Sequence, residues 1–207
     1  MPPAGRPRTF DREGALKKAM YVFWEKGYEG TTMSDLIAII GMKAPSVYAA
    51  FGNKDKLFSE ALGMYQQLVL DGPIKALFVH GDITKALTLS LKSNVNLFAG
   101  NVDTGQPGSC LIMTAAINCS PEHNMHVETL RQLRGEYKKA LETRFSQAKS
   151  ENQLSEDASP KALAEYFTTF VHGMALRARD GSSKKELEKS CTFALQALAS
   201  LAKPHAN

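Results

Sequence analysis

The sequence predicts an all-α protein, and three observations support that prediction. Apolar residues recur three and four positions apart in segment after segment, which is the spacing of one face of a helix. Most of these segments begin at an Asp, Asn, Ser or Thr suited to capping a helix. No segment of the 207 residues shows the alternating pattern that predicts a β-strand. We therefore expect about nine helices and no sheet.

The first predicted helix opens at Asp11, whose carboxylate can accept from the free N–H groups of the first turn. Gly27 ends it, because a glycine adopts the terminal backbone conformation without a Cβ penalty. The apolar residues that share one side of this helix are expected to be buried. They are Leu16, Met20, Phe23 and Trp24.

Two short helices joined at Gly41 are predicted next, and this is the outline of a DNA-reading helix-turn-helix. Thr32 begins a Thr-x-x-Asp start signal before the apolar run of the first. Pro45 is tolerated in the first turn of the second, in which Val47 and Phe51 share the inward side. A helix of two turns is not stable alone, so it needs neighbours, and its outer side is available for function.

The remaining chain is predicted to be helical with short breaks. Asn53 can cap a longer helix that weakens at Asp71-Gly72-Pro73, and a loop covers 101–108. Ser120-Pro121 restarts the chain after a short apolar helix. The other expected helices cover residues 74–78, 82–98, 109–117, 121–149, 159–178 and 184–201.

Composition limits the class of protein. A content of 43% hydrophobic and 22% charged residues suits one large or two small globular units. No apolar run of about 18 residues predicts a membrane span, and no secretory signal is recognised, so we expect a cytoplasmic protein. Residues 1–56 carry nine Lys and Arg against six Asp and Glu. That basic quarter fits either nucleic-acid binding or an ordinary solvated surface.

Residues 10–60 resemble the TetR family of transcriptional regulators. The resemblance lies in the passage Phe23-Trp24-Glu25-Lys26-Gly27-Tyr28-Glu29-Gly30-Thr31-Thr32, the Gly41 turn, and the signature Tyr48-x-x-Phe51-x-x-Lys54-x-x-Leu57. It implies an all-helical homodimer. Residues 1–56 would form an arm and a helix-turn-helix DNA-binding domain, and residues 57–207 a helical ligand-binding and dimerisation domain.

The resemblance also implies which side chains contact DNA. The helix from Ala44 would enter the major groove, where Lys43 and Ser46 could contact bases or phosphates and Ala44 a thymine methyl group. Tyr48, Lys54 and Thr32 would contact phosphates. Lys43 and Pro45 depart from the residues common in the family at these positions, so the preferred base sequence does not follow from relatives.

An arm precedes the first helix. Arg6 and Arg8 alternate with Gly5 and Pro7, a pattern suited to lying in a narrow minor groove of negative potential. A flexible solubilising tail is the competing interpretation, and the sequence leaves both open.

The carboxyl-terminal two-thirds is expected to bind a small molecule and to dimerise. The candidate ligand-binding residues are Phe98, Met113, Ile117, Tyr137 and Phe167, each of which could equally be ordinary core. The last two helices carry more apolar surface than one buried side requires, so they are the expected dimer interface. Its residues would be Phe167, Phe170, Val171, Met174, Leu176, Phe193, Leu195, Leu198 and Leu201.

A thiol and two imidazoles form a second candidate site. Cys119, His123 and His126 have the spacing of one helix side, and such a set suits zinc or copper, although Pro121 interrupts the helix between them. Cys110 and Cys119 as a redox pair is the other possibility. Buried, inert thiols are the ordinary state of such residues.

The predicted function is a repressor that binds a palindromic operator and leaves it when a small inducer binds. A metal- or redox-sensing repressor of the same fold and a DNA-binding protein without ligand control remain alternatives. No Gly-x-Ser-x-Gly, phosphate-binding loop or His-Glu-x-x-His motif indicates an enzyme, and no cofactor is expected.

Overall fold

A computed structural model of the chain describes residues 11–117 and 119–203. These residues form helices and loops with two isolated β-bridges and no strand, which confirms the all-α prediction. None of the helices in the described parts is both long enough and apolar enough to cross a bilayer. The α-helices are α1 (Arg12–Lys26), α2 (Met33–Ile40), α3 (Ala44–Phe51), α4 (Lys54–Val69), α5 (Lys75–Val79), α6 (Ile83–Phe98), α7 (Leu111–Thr114), α8 (Asn124–Ser150), α9 (Pro160–Arg179) and α10 (Lys184–Ala199).

Helix α1 begins and ends where its sequence signals lie. The side chain of Asp11 accepts from the Gly14 N–H at 2.8 Å, and Gly27 ends the helix with φ of 73°. The four residues predicted for its buried side are all in the core. Phe23 and Trp24 contact α4 through their rings, at centroid distances of 5.0 Å to Phe58 and 4.6 Å to Tyr65. Helices α1 and α4 therefore form the rigid base on which α2 and α3 sit.

The α-helix ends just before Asp71-Gly72-Pro73, where weakening is expected, but the chain stays helical. A π-helical turn over Leu70–Ile74 joins α4 to α5. The wider turn accommodates Pro73, which has no N–H to donate to the ladder. Its carbonyl accepts from the hydroxyl of Ser90 on α6 at 2.7 Å.

Two predicted helices are shorter than expected. Helix α7 covers only Leu111–Thr114, because Ser109 has a φ of 149° and Cys110 is extended. After the next loop, Pro121–His123 form a 3-10 turn, and α8 begins only at Asn124. Pro121 lies in the first turn of this segment, where its missing N–H has no helical role.

Buried Arg144 on α8 ties the end of α5 to the rest of the fold. Its guanidinium donates to the carbonyl oxygens of Leu77 at 2.9 Å, His80 at 3.2 Å and Gly81 at 2.5 Å. Free carbonyls at a helix end need such donors when water cannot reach them. Residue 144 was not recognised from the sequence as part of the core, since an arginine is seldom fully buried.

Helices α9 and α10 divide the residues predicted for a dimer interface. Phe167, Val171, Met174 and Leu198 are buried within the chain. Leu176 and Phe193 are exposed, by 54% and 61%. Phe170, Leu195 and Leu201 are partly buried. An open groove of about 460 Å³ lies between the two helices, next to the exposed leucine.

Candidate functional site

Helix α3 presents its outer side to solvent as the sequence predicts. Val47 and Phe51 of this helix are buried, and Gly52 ends it with φ of 74°. We call α1–α3, with the loops that join them, the head. Lys43 precedes the helix with an extended backbone and makes no capping hydrogen bond through its side chain. Tyr48 is 48% exposed.

The predicted base and phosphate contacts on α3 are therefore accessible to solvent. Lys43 and Ser46 are exposed, and Ala44 is partly exposed. These residues carry a cation, two hydroxyls and a methyl group within about two turns, which are the groups that read base edges and phosphates in a major groove. We call this set the α3 surface, formed by Lys43, Ala44, Ser46 and Tyr48.

Thr32 caps α2, but its hydroxyl proton is already used. The Oγ1 atom accepts from the Asp35 N–H at 3.1 Å and donates to the Asp35 carboxylate at 2.6 Å. Lys26 donates to the same carboxylate at 2.8 Å. The hydrogen bond from Lys26, followed by those from Thr32, lowers the pKa of Asp35 far below its usual range. The predicted phosphate contact of Thr32 stays a prediction, and it would have to share the hydroxyl with this cap.

Lys54 points into the head. Its Nζ donates to the carbonyl oxygens of Tyr28 and Thr31, both at 3.1 Å, and lies 4.1 Å from the centre of the Tyr28 ring. The ammonium group thus closes the loop between α1 and α2, a role that no sequence signal indicated. Its phosphate contact stays a prediction. Arg6 and Arg8 lie outside the described residues.

A polar cluster joins the head to the start of α8, and we call its five residues the head–α8 cluster. Asp55 accepts from the Tyr28 hydroxyl at 2.5 Å and pairs with Nε2 of buried His126 at 2.9 Å. Glu29 pairs with Nδ1 of His123 at 2.8 Å. Each carboxylate of the cluster belongs to the head or the first turn of α4, and each imidazole to the segment that opens α8.

Protonation equilibria follow these contacts. The hydrogen bonds from Tyr28 and then His126 lower the pKa of Asp55. Burial, followed by the hydrogen bond to Asp55, raises the pKa of Tyr28 well above its ordinary value. The Ser120 N–H and then His123 lower the pKa of Glu29 to about 2. Both carboxyl groups are therefore ionised at neutral pH, when they can hold the histidines.

The structure does not assemble the predicted metal set. The rings of His123 and His126 are engaged with carboxylates from different elements, and their centroids are 6.3 Å apart. No group of three His, Cys, Asp or Glu residues within residues 11–117 and 119–203 is placed to hold a metal ion. The spacing that indicated a shared site assumed one helix, whereas Pro121–His123 form a 3-10 turn.

The two cysteines of the possible redox pair are not joined by a disulfide. Cys110 and Cys119 are free thiols, and Cys110 is buried. Burial raises the pKa of both thiols, so the reactive thiolate is less populated than in an ordinary cysteine.

A small cavity lies among α4, α6, α7, α8 and α9. Three of the predicted ligand-binding residues, Phe98, Met113 and Tyr137, line it. Phe167 is buried but lies outside the lining, and Ile117 is 67% exposed beside a separate surface pocket. The cavity holds ≈ 20 Å³, room for about one water molecule. The residues that sequence reasoning missed in its wall are Val69, Asn94, Cys110, Ile112, Leu133 and Val171.

Asn94 is the informative member of this missed set. It is 3% exposed and donates to the Tyr137 hydroxyl at 2.9 Å and to the Ser90 carbonyl oxygen at 3.0 Å. The signal was present in the sequence, since Asn94 lies four residues before Phe98 and three after Leu91 on the apolar side of α6. A polar residue on such a side needs a buried partner.

Comparison with known proteins agrees with this arrangement. Residues 15–61 match the family described as bacterial regulatory proteins, tetR family. The HTH-type transcriptional repressor ComR of Escherichia coli (strain K12) is 32% identical over 184 residues, which is 88% of this chain and 86% of that protein. A cysteine mutant of the TetR family transcriptional regulator CifR, in complex with a 26-bp operator DNA, is 31% identical over 93% of this chain and 99% of its own, with a TM-score of 0.84.

The fold and the exposed α3 surface define a helix-turn-helix transcriptional regulator. The chain belongs to the TetR family. Its relatives are transcriptional repressors, so the protein is a regulator and not an enzyme. HTH-type transcriptional regulator YezE of Bacillus subtilis (strain 168) is also similar, at 30% identity over 78% of this chain and 82% of that protein.

Proposed function

We propose that this protein is a ligand-responsive repressor that binds a palindromic operator as a homodimer and leaves it when a small molecule binds. The α3 surface carries the proposal, because its residues are exposed on a helix that is anchored in the core by Val47 and Phe51. The residues proposed to contact DNA are Thr32, Lys43, Ala44, Ser46, Tyr48 and Lys54, together with Arg6 and Arg8 of the arm.

The proposed dimer interface is the outer side of α9 and α10. Leu176 and Phe193 lie in solvent in the single chain, and burial of such side chains is worth about 1.5–3 kcal/mol each. A two-fold pair formed there would place two α3 surfaces for successive major grooves. Residues 1–56 would bind DNA and residues 57–207 would bind ligand and dimerise, in the cytoplasm where the operator lies.

The cavity supports control by a small molecule. A ligand favours release only if it binds the released state more tightly than the operator-bound state. A ligand of several atoms is larger than a cavity with room for about one water, so it must move part of the wall. Binding of a ligand in the cavity is then coupled to a change in the shape of the protein.

The first test is selection of duplexes from a random DNA library by the full-length protein, followed by fluorescence anisotropy with the enriched duplex. We expect an inverted repeat. Lys43→Ala and Tyr48→Phe should each weaken binding, and each lost phosphate contact should reduce the slope of log affinity against log salt by about 0.9. Lys139→Ala, an exposed lysine of α8, is the matched control and should bind like the parent protein.

The arm is tested in the same assay with the double variant Arg6→Ala, Arg8→Ala, which should lower affinity and flatten the salt dependence. An unchanged slope would remove the arm from the binding site. Failure to enrich any inverted repeat would contradict the proposed function itself.

A further inference from the structure

We propose that the cavity binds a small uncharged alcohol, whose hydroxyl pairs with Tyr137 and Asn94 and whose apolar part lies against Phe98, Met113 and Val171. This inference rests on the proposed function, since it names the class of ligand that would control it. The argument comes from the hydrogen bonds around the cavity.

The two polar groups in the wall have spare hydrogen-bonding capacity. The Tyr137 hydroxyl accepts from Asn94 at 2.9 Å, but the nearest acceptor for its own proton is the Ser90 hydroxyl oxygen at 3.5 Å, the outer limit of a hydrogen bond. The Ser90 hydroxyl donates its own proton to the Pro73 carbonyl oxygen at 2.7 Å, so in the long contact Tyr137 is the donor. Tyr137 thus has a proton to offer to a better acceptor.

Asn94 supplies the complementary group. Both N–H bonds of its amide are used, by the carbonyl oxygen of Ser90 and by Tyr137. Among the described residues, no hydrogen bond to its amide oxygen is found, so this oxygen can accept from a ligand. A ligand hydroxyl accepts from Tyr137 and donates to Asn94, whereas a ketone satisfies only the first.

The uncharged wall of the cavity disfavours an ionised acid or amine as the ligand. The wall consists of apolar, amide, phenol and thiol groups, and its lining holds no Asp, Glu, Lys or Arg. Arg134 is nearby, but its Nη1 donates to the Ile112 carbonyl oxygen at 2.9 Å from behind α7. An ionised ligand would lose its hydration without gaining a paired charge, which is strongly unfavourable.

Helix α7 is the wall best able to move. It has four residues, too few for a helix that is stable alone, and Ser109 just before it has a φ of 149°, which is strained for a residue with a Cβ. The Ala115 carbonyl oxygen at its end accepts from the Tyr28 N–H at 2.7 Å. A ligand that displaces α7 therefore pulls on the loop between α1 and α2, and so on the head.

The experiment uses three probes of similar shape, namely benzyl alcohol, ethylbenzene and benzoate, with the full-length protein. Titration calorimetry should detect benzyl alcohol and ethylbenzene and no benzoate. Tyr137→Phe should weaken the binding of benzyl alcohol about 5-fold, which corresponds to the loss of one neutral hydrogen bond, and leave the binding of ethylbenzene unchanged. Met113→Phe fills the cavity and should weaken both, so it keeps the test valid if the tyrosine variant fails to fold.

Anisotropy with the selected operator separates this inference from the proposed function. Benzyl alcohol should lower operator affinity of the parent protein and affect the Met113→Phe variant less. The inference is overturned if benzoate binds best, if neither uncharged probe binds, or if Tyr137→Phe weakens both probes equally while the operator is still bound. If the unliganded parent protein binds no selected duplex at all, the proposed function itself is contradicted.

Discussion

The substitution Asp55→Asn isolates the contribution of the head–α8 cluster. It keeps the shape of the side chain and removes the charge that accepts from Tyr28 and His126. A hydrogen bond to a charged group contributes roughly 1.5–3 kcal/mol and a neutral one roughly 0.5–1.5 kcal/mol, so each of the two bonds weakens by about 1 kcal/mol. The Asp55 side chain is 44% exposed, and solvent screening reduces the total to about 1 kcal/mol.

Calorimetry at pH 7 should therefore find a melting temperature about 2–4 °C below that of the parent protein, the shift expected for this free energy in a chain of this size. Asp103→Asn is the matched control, because it removes the same charge from the exposed turn between α6 and α7. Equal melting temperatures for the two variants would refute the assignment of a stabilising role to the cluster.

The pH dependence provides a second check on the same variant. Because the pKa of Asp55 is lowered in the folded protein, its stabilisation is fully present above the unfolded value of about 3.9 and is lost as the pH falls through the folded value. The difference in melting temperature from the parent should not shrink between pH 7 and pH 5. It should close below about pH 3.9, and closure near pH 6 would contradict this reasoning.

Two further substitutions, each with a comparison variant, test contacts at helix ends. Thr32→Ala removes the capping box of α2 and should cost about 1 kcal/mol of unfolding free energy, measured by denaturant unfolding. Ser183→Ala removes the matching box of α10 and should cost the same in that assay. Only Thr32→Ala should also weaken operator binding, measured by anisotropy. Arg144→Met retains the buried stem but leaves three carbonyl groups without their donor, and should cost about 3 kcal/mol in the same unfolding assay. Lys138→Met, which removes an exposed ion pair with Glu165, should cost much less because solvent screens the pair, and a cost equal to that of the arginine variant would contradict the role given to residue 144.

Local signals in the sequence located the helices well. Asp11, Thr32, Asn53, Asp82, Ser159 and Ser183 each cap the helix that follows, because capping depends on residues within one turn. The break of the α-helix near Asp71-Gly72-Pro73 was predicted, but its form, a π-helical turn whose Pro73 carbonyl accepts from the hydroxyl of Ser90, was not. That contact comes from another helix and has no local signature.

The α3 surface was predicted better than the cavity, because contacts between distant parts of the chain have no local signature. The α3 surface follows from helical spacing alone, since burial of Val47 and Phe51 forces the neighbouring positions outward. The cavity required packing: Phe98, Met113 and Tyr137 line it, whereas Ile117 is exposed and Phe167 lies elsewhere in the core. Which apolar residues face one void depends on how five helices meet, and periodicity identifies only the buried side of each.

The sequence by itself determined the helical class, the caps, the exposed side of α3 and the resemblance to a family, all of which depend on residues close together in the chain. Only the tertiary structure decided that Lys54 closes the α1–α2 loop and that His123 and His126 pair with Glu29 and Asp55. It also placed Asn94 against Tyr137 beside a small cavity. These contacts join side chains more than 20 positions apart, and a pairing at that separation is set by the packing of whole helices.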